Sequence, residues 1–160
     1  FIENKLKFSP YIAEAVILGH QRPYLASIIC IRFTVLSKWA EKKRITFTTY
    51  SDLCVKEEIQ LMIKKEVADV NATLPEYQRI NRFILLYKEL DADDGELTRT
   101  KKIRRTIIGD KYKNIIDSIY KDDEKVDIDT VIHFQDGTSQ RIVTMLNVIK
   151  MRTSSDREVA

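Results

Sequence analysis

Two neighbouring stretches decide how this chain is read: Phe83-Ile84-Leu85-Leu86-Tyr87, and then Asp94-Gly95-Glu96-Leu97-Thr98-Arg99-Thr100-Lys101-Lys102-Ile103-Arg104-Arg105. The first is an apolar run of strand length. The second opens as a turn-forming acidic segment and closes with five basic side chains in seven positions. Beyond it, Ile107, Ile108, Tyr112, Ile115, Ile116 and Ile119 recur at helical spacing. They predict one helix over 103–120, which Gly109 weakens without breaking. A loop that ends in clustered cations is suited to reach a phosphate, whereas a charge run is by itself more often a solvated face. Basic residues at a helix start oppose the macrodipole, so helix stability does not explain them.

Upstream, residues 1–9 read as a short amphipathic helix with Ile2, Leu6 and Phe8 inward, stopped by Ser9-Pro10. Ala15-Val16-Ile17-Leu18 and residues 24–31 flank the turn Gly19-His20-Gln21-Arg22-Pro23 as a hairpin. The second of these strands is apolar at nearly every position and should be buried on both faces. Residues 34–44 suit a helix with Val35, Leu36, Trp39 and Ala40 on one face. An extended Thr-rich stretch, 46–50, follows. A single longer helix capped near Ser51 or Asp52 is expected next, with the stripe Ile59, Met62, Ile63, Val67 and Val70, ending at Leu74-Pro75.

Downstream of a domain over 1–120, residues 121–129 read as a charged linker. Asp136-Gly137 between two apolar runs predicts a β-hairpin appendage over 130–150. Residues 151–160 read as a disordered tail. The fold class expected is α+β, a small mixed or antiparallel sheet with helices packed on it, plus the C-terminal β-hairpin.

Composition narrows the function. With 27 basic and 24 acidic residues, the net charge of +3 is too small for wholesale nucleic-acid binding, so any anion site is local. No apolar run approaches the ~20 residues of a membrane span, and the 160 residues contain no charged-then-apolar stretch of the secretory kind. Cys30 and Cys54 lack metal-ligand spacing. Cys30, in an apolar run, reads as a buried thiol, which suits a reducing, cytoplasmic setting. His20 and His133 fall in a turn and in the terminal hairpin, and four scattered glycines cannot build a phosphate cradle. No zinc spacing is present, and no metal site is expected. The candidates left are cations: Lys102 with Arg99, Lys101, Arg104 and Arg105. Stabilising developing charge in a water-poor site is worth roughly 3 kcal/mol for one donor. On charge alone, a solvated basic patch, or a non-enzymatic module docking on acidic protein or nucleic acid, remains the competing reading.

The same residues resemble the C-terminal motif of the AMP-forming acyl-CoA synthetases, the adenylate-forming ligases, and in particular their long-chain fatty-acid branch. In that superfamily the loop has the form Thr-x-x-Gly-Lys-x-x-Arg. Here Thr98-Arg99-Thr100-Lys101-Lys102-Ile103-Arg104-Arg105 follows it, preceded by Gly95-Glu96-Leu97 as in the long-chain branch. Lys101 stands where Gly is usual, and the register through Arg105 favours Lys102 as the motif lysine. The blocks Ile2 to Ile12, Arg22-Pro23-Tyr24-Leu25, Lys38-Trp39-Ala40 and Asn71 to Ile80 also resemble the branch, so the likeness covers roughly residues 1–120.

The resemblance implies a C-terminal lid that works with a large N-terminal domain, the chain starting just after the hinge. The whole enzyme would use ATP, Mg²⁺ and CoA to convert a fatty acid to an acyl-adenylate and then a thioester. Lys102 is the implied catalytic residue. Arg99, Lys101, Arg104 and Arg105 are candidate contacts to nucleotide, CoA phosphates or the other domain. Further candidate partners are a membrane surface contacted peripherally, at its inner face, and a second copy of the chain. A lid for an acyl-carrier-protein ligase of the same superfamily is the alternative acceptor chemistry.

Overall fold

The computed structural model describes residues 1–134 and 136–152. Its centre is a four-stranded mixed sheet. Strand β1 (Ile12–Leu18) pairs antiparallel with β2 (Leu25–Ile31), which is the expected hairpin. Strand β2 runs parallel to β3 (Ile80–Leu85), and the short β6 (Ile149–Lys150) pairs antiparallel with β3 at the edge. A parallel pair needs a crossover. It is supplied by α2 (Phe33–Lys42), α3 (Tyr50–Cys54) and α4 (Glu57–Asn71).

Successive residues of β2 divide between two cores, as a strand's period of two requires. Ile29 and Ile31 pack with Leu6 of α1 (Ile2–Lys7), Leu36 and Ala40 of α2, and Ile59, Ile63 and Val67 of α4. Ala26, Ile28 and Cys30 pack on the other side with α5 (Arg105–Lys111) and α6 (Lys113–Tyr120). The mixed sheet with helices on it is therefore the α+β architecture the sequence predicts, and the strand read as buried on both faces is so. Both cysteines are free and buried, and burial pushes the Cys30 thiol up to about 12. Among the described residues no helix is long and apolar enough to cross a membrane.

Two expected helices are broken. The one placed after Ser51 or Asp52 is α3 followed by α4, parted where Lys56 turns extended (φ −69°, ψ 131°). The cap of α3 is Thr49, whose hydroxyl accepts from the Asp52 amide at 3.1 Å. The break lets Leu53 and Cys54 sink into the core while α4 presents Ile59, Ile63 and Val67. The predicted 103–120 helix parts at Tyr112 (φ −108°, ψ 24°), not at Gly109. Tyr112 is buried with its hydroxyl committed elsewhere, so a tertiary contact sets that kink.

The segment over 121–129 is not a linker throughout. Strand β4 (Lys125–His133) begins inside it and pairs antiparallel with β5 (Ser139–Asn147), in register from Lys125↔Asn147 to His133↔Ser139. Val126 and Ile128 face the core while Asp127 and Asp129 are exposed, so the charges mark the solvent side of a strand. The hairpin is also no detached appendage: Ile142, Leu146 and Val148 join the α5–α6 core. The chain then returns to the sheet as β6, where the Met151 amide donates to the Asn81 carbonyl at 2.8 Å. Of the tail expected over 151–160, Met151 is bound to the sheet edge and Arg152 is described, while residues 153–160 lie outside the described residues.

Candidate active site

The parallel strand β3 leads through buried Leu86, Tyr87 and Lys88 into the loop of interest. The Leu86 amide still donates to the Ile29 carbonyl at 2.9 Å, so the sheet holds the chain to the loop's entrance. The chain then reverses over Ala92–Gly95, with the Gly95 amide on the Ala92 carbonyl at 3.1 Å. Gly95 has φ +75°, a conformation glycine adopts without steric cost.

Glu96 forms the loop's foundation. It is fully buried, and its carboxylate accepts from the Lys88 ammonium, the Tyr112 hydroxyl, the Lys111 ammonium at 3.0 Å and the Asp91 amide at 3.0 Å. Burial works against its charge, but the bonds from Lys88, Tyr112 and Lys111 outweigh it and hold the carboxyl below its ordinary value. Burial, and then the Glu96 carboxylate, push the Tyr112 phenol far up. Asp94 adds a weaker contact to Lys88 at 3.5 Å.

Above this base, Leu97 and Ile103 form an antiparallel bridge that closes the tip. The Thr98 amide donates to the Lys102 carbonyl at 2.8 Å, and the Lys101 amide donates to the Thr98 carbonyl at 2.9 Å. The Lys102 amide donates to the Thr98 hydroxyl oxygen at 3.0 Å. This is a three-residue hairpin loop, a β-turn followed by a left-handed residue. Lys101 holds the left-handed place with φ +64°. Glycine suits that place best, and a lysine there is strained.

Arg99, Lys101 and Lys102 are exposed at the tip, and Arg104 just beyond it; none forms an ion pair among the described residues. Arg105 is placed differently. Its guanidinium pairs with Glu3 of α1 and donates to the Ile17 carbonyl at 3.4 Å, tying the start of α5 to the first helix. That pair also offsets the unfavourable charge at a helix N-terminus. A small cavity of about 270 Å³ lies between Lys101, Lys102 and Arg105 on one side and Glu3, Asn4 and Lys7 on the other.

His20 and His133 are exposed on separate elements. Among the described residues no group of His, Cys, Asp or Glu side chains is arranged to hold a metal ion. What sequence reasoning missed is the clamp on Glu96. Its members are spread from Lys88 to Tyr112, and the available signal was a carboxylate set between Gly95 and the apolar Leu97 at the end of the acidic run.

The architecture is that of the C-terminal domain of an adenylate-forming enzyme. The chain belongs to the AMP-binding enzyme C-terminal domain family, whose profile matches residues 1–124. It is 27% identical over 120 residues to a long-chain-fatty-acid–CoA ligase of Mycobacterium tuberculosis, covering 74% of this chain and 20% of that protein. To a human long-chain-fatty-acid–CoA ligase it is 26% identical over 140 residues, covering 76% and 19%. The chain thus spans about a fifth of the length of these curated relatives. Among solved structures, the adenylation domain of a carboxylate reductase from Mycobacterium chelonae superposes with a TM-score of 0.59 at 18% identity. That match covers 76% of this chain and 17% of the other. An adenylation–carrier didomain of the Segniliparus rugosus carboxylic acid reductase, solved in complex with AMP, gives 0.57 at 17% identity, over 75% of this chain and 15% of the other. These likenesses establish the fold.

Proposed function

We propose that this chain is the lid of an AMP-forming long-chain fatty-acid–CoA ligase, and that Lys102 is the residue it contributes to adenylation. The observation that carries this reading is the contrast within one loop. The base is clamped on buried Glu96, while the Lys102 ammonium at the tip has no ion-pair partner among the described residues. The left-handed Lys101 supports the register. It occupies the conformation that suits the glycine of the family pattern, so the next residue is the motif lysine.

The chemistry follows from charge. A carboxylate must approach an α-phosphate, and two anions repel. Lys102 Nζ is a compact point charge that can sit between oxygens of both and lower the barrier without transferring a proton. ATP supplies the activated phosphorus when bound, and Mg²⁺ accompanies it. The exposed cations fit phosphate oxygens but not a metal, so in this reading the metal is held by the larger domain. Arg99, Lys101 and Arg104 are free to guide the nucleotide or meet that domain. Arg105, engaged with Glu3, serves chiefly to seat α5. Withdrawal of the loop by a domain rotation would then open the site to the CoA thiol.

The test is made in the protein joined to its large N-terminal domain. Lys102→Ala should abolish most acyl-adenylate formation from fatty acid and ATP, yet largely spare thioester formation from supplied acyl-adenylate. Equal loss of both steps would overturn the role. The 160 residues alone should produce no acyl-CoA.

A further inference from the structure

We infer that the far end of β3 from the lysine loop carries a second anion site, shaped for a ligand bearing more than one phosphate group. A cavity of about 710 Å³ opens where β3 begins and β6 ends, with Arg79, Arg82, Lys150 and Arg152 around it against Glu76 and Asp122. The inference stands apart from the role of Lys102 and does not depend on it.

Two of the cations are fixed by neutral groups, and Arg82 is paired with Asp122 as well. Arg79 Nε donates to the carbonyls of Asn71 at 3.1 Å and Leu74 at 3.0 Å, which fixes the guanidinium and leaves its outer nitrogens for a ligand. Arg82 lies 5.0 Å from the Tyr24 ring centroid and donates to the Ile119 carbonyl at 3.0 Å. Donors fixed in advance lose little freedom on binding, and the arginine fork matches phosphate oxygens two at a time.

The opposing acids are largely exposed. Asp122, paired with Arg82, has a side chain 71% exposed and a left-handed backbone (φ +65°). Glu76 reaches Arg152 only at 3.9 Å, with both side chains exposed. Lys150 forms no ion pair among the described residues.

The sheet register sharpens the case. Arg82 and Lys150 are direct cross-strand partners of β3 and β6. Like charges directly opposite each other destabilise a sheet; Asp122 offsets Arg82, and a bound anion would offset Lys150, which has no ion pair among the described residues. Two of the four cations also lie beyond the family match, which ends at residue 124. The hairpin extension is what brings Lys150 and Arg152 back beside Arg79 and Arg82. Two pairs of cations around a space larger than one phosphate point to a diphosphate, either a free nucleoside diphosphate or a phosphorylated lipid headgroup.

The test is a titration of the full chain, following backbone amide shifts, with pyrophosphate and then ADP. Saturable shifts are expected at Asn81, Arg82, Lys150 and Met151. The double variant Lys150→Glu, Arg152→Glu should weaken binding by about tenfold or more, while Lys102→Ala leaves it unchanged. Should the double variant fail to fold, the exposed single change Arg152→Gln should still weaken binding measurably. Shifts confined to residues 98–105, or unaltered binding by both variants, would overturn the site. Flotation with phosphatidylcholine vesicles containing phosphatidylinositol bisphosphate assigns the source. Co-flotation that pyrophosphate reverses supports a headgroup ligand; binding of ADP without flotation supports a soluble one.

Discussion

The hydroxyl of Tyr112 donates to the carboxylate of Glu96, and this bond joins the kink between α5 and α6 to the base of the Lys102 loop. Glu96 is fully buried, with two lysines turned toward it. Removing the carboxylate leaves the buried Lys88 with only the weaker Asp94 ion pair among the described residues. Glu96→Ala should therefore lower unfolding free energy by about 3–5 kcal/mol, read as a fall in the urea midpoint. A loss below about 1 kcal/mol would show that the cluster reorganises freely.

The same group makes stability depend on pH in one direction. Glu96 titrates below its ordinary 4.5 in the folded chain. Its contribution is therefore complete above that value and fades as pH falls through the folded one. Urea midpoints should drop as pH is lowered from about 6 to about 3, and Glu96→Gln should flatten part of that slope.

Tyr112→Phe keeps the buried ring and removes only its hydroxyl. Hydrogen bonds to charged groups contribute about 1.5–3 kcal/mol, and a loss in that range is expected by chemical denaturation. The apolar contacts of Ile108, Ile115 and Ile116 should persist, visible as little-changed side-chain methyl shifts.

At the tip, the strained Lys101 and the proposed catalytic residue Lys102 are adjacent. Lys101→Gly removes a side chain from a left-handed position and should raise stability by up to about 1 kcal/mol. Lys102→Ala alters an exposed side chain and should leave stability within about 0.5 kcal/mol. A large destabilisation by Lys102→Ala would mean that any loss of activity reflects folding.

Ending the chain at residue 124 removes Val126, Ile128, Ile142, Leu146 and Val148 from the core over α5 and α6. Each such side chain contributes about 1.5–3 kcal/mol when fully buried. The truncated chain should bind a hydrophobic dye and lose cooperative unfolding, although the family match ends there. A truncated form that unfolds sharply at the parent midpoint would show the hairpin to be dispensable.

Much of this was readable from the sequence because it is local. Strand β2 is apolar on both faces, α4 carries a stripe at helical spacing, and Asp136-Gly137 turns a hairpin. What was not readable depends on distant partners. The helix over 103–120 kinks at Tyr112 because the phenol is drawn to a carboxylate 16 positions earlier. The helix after Thr49 breaks at Lys56 because Leu53 and Cys54 are required in the core. Lys125-Val126-Asp127-Ile128-Asp129 alternates with the period of a strand, but its charges outweighed its alternation in the linker reading. The loop's cations could be counted from the sequence. That Arg105 is bound to Glu3 while Lys102 stays clear could not, since Glu3 lies 102 residues away.

The three-residue turn at Thr98–Lys102 and the carboxylate beneath it give the loop a fixed shape before it meets anything. In the proposed role its lysine is the point of a stylus, and the whole domain is the hand that holds it. Aim is set by where the domain stands, and little further ordering of the loop itself is left for the moment of contact.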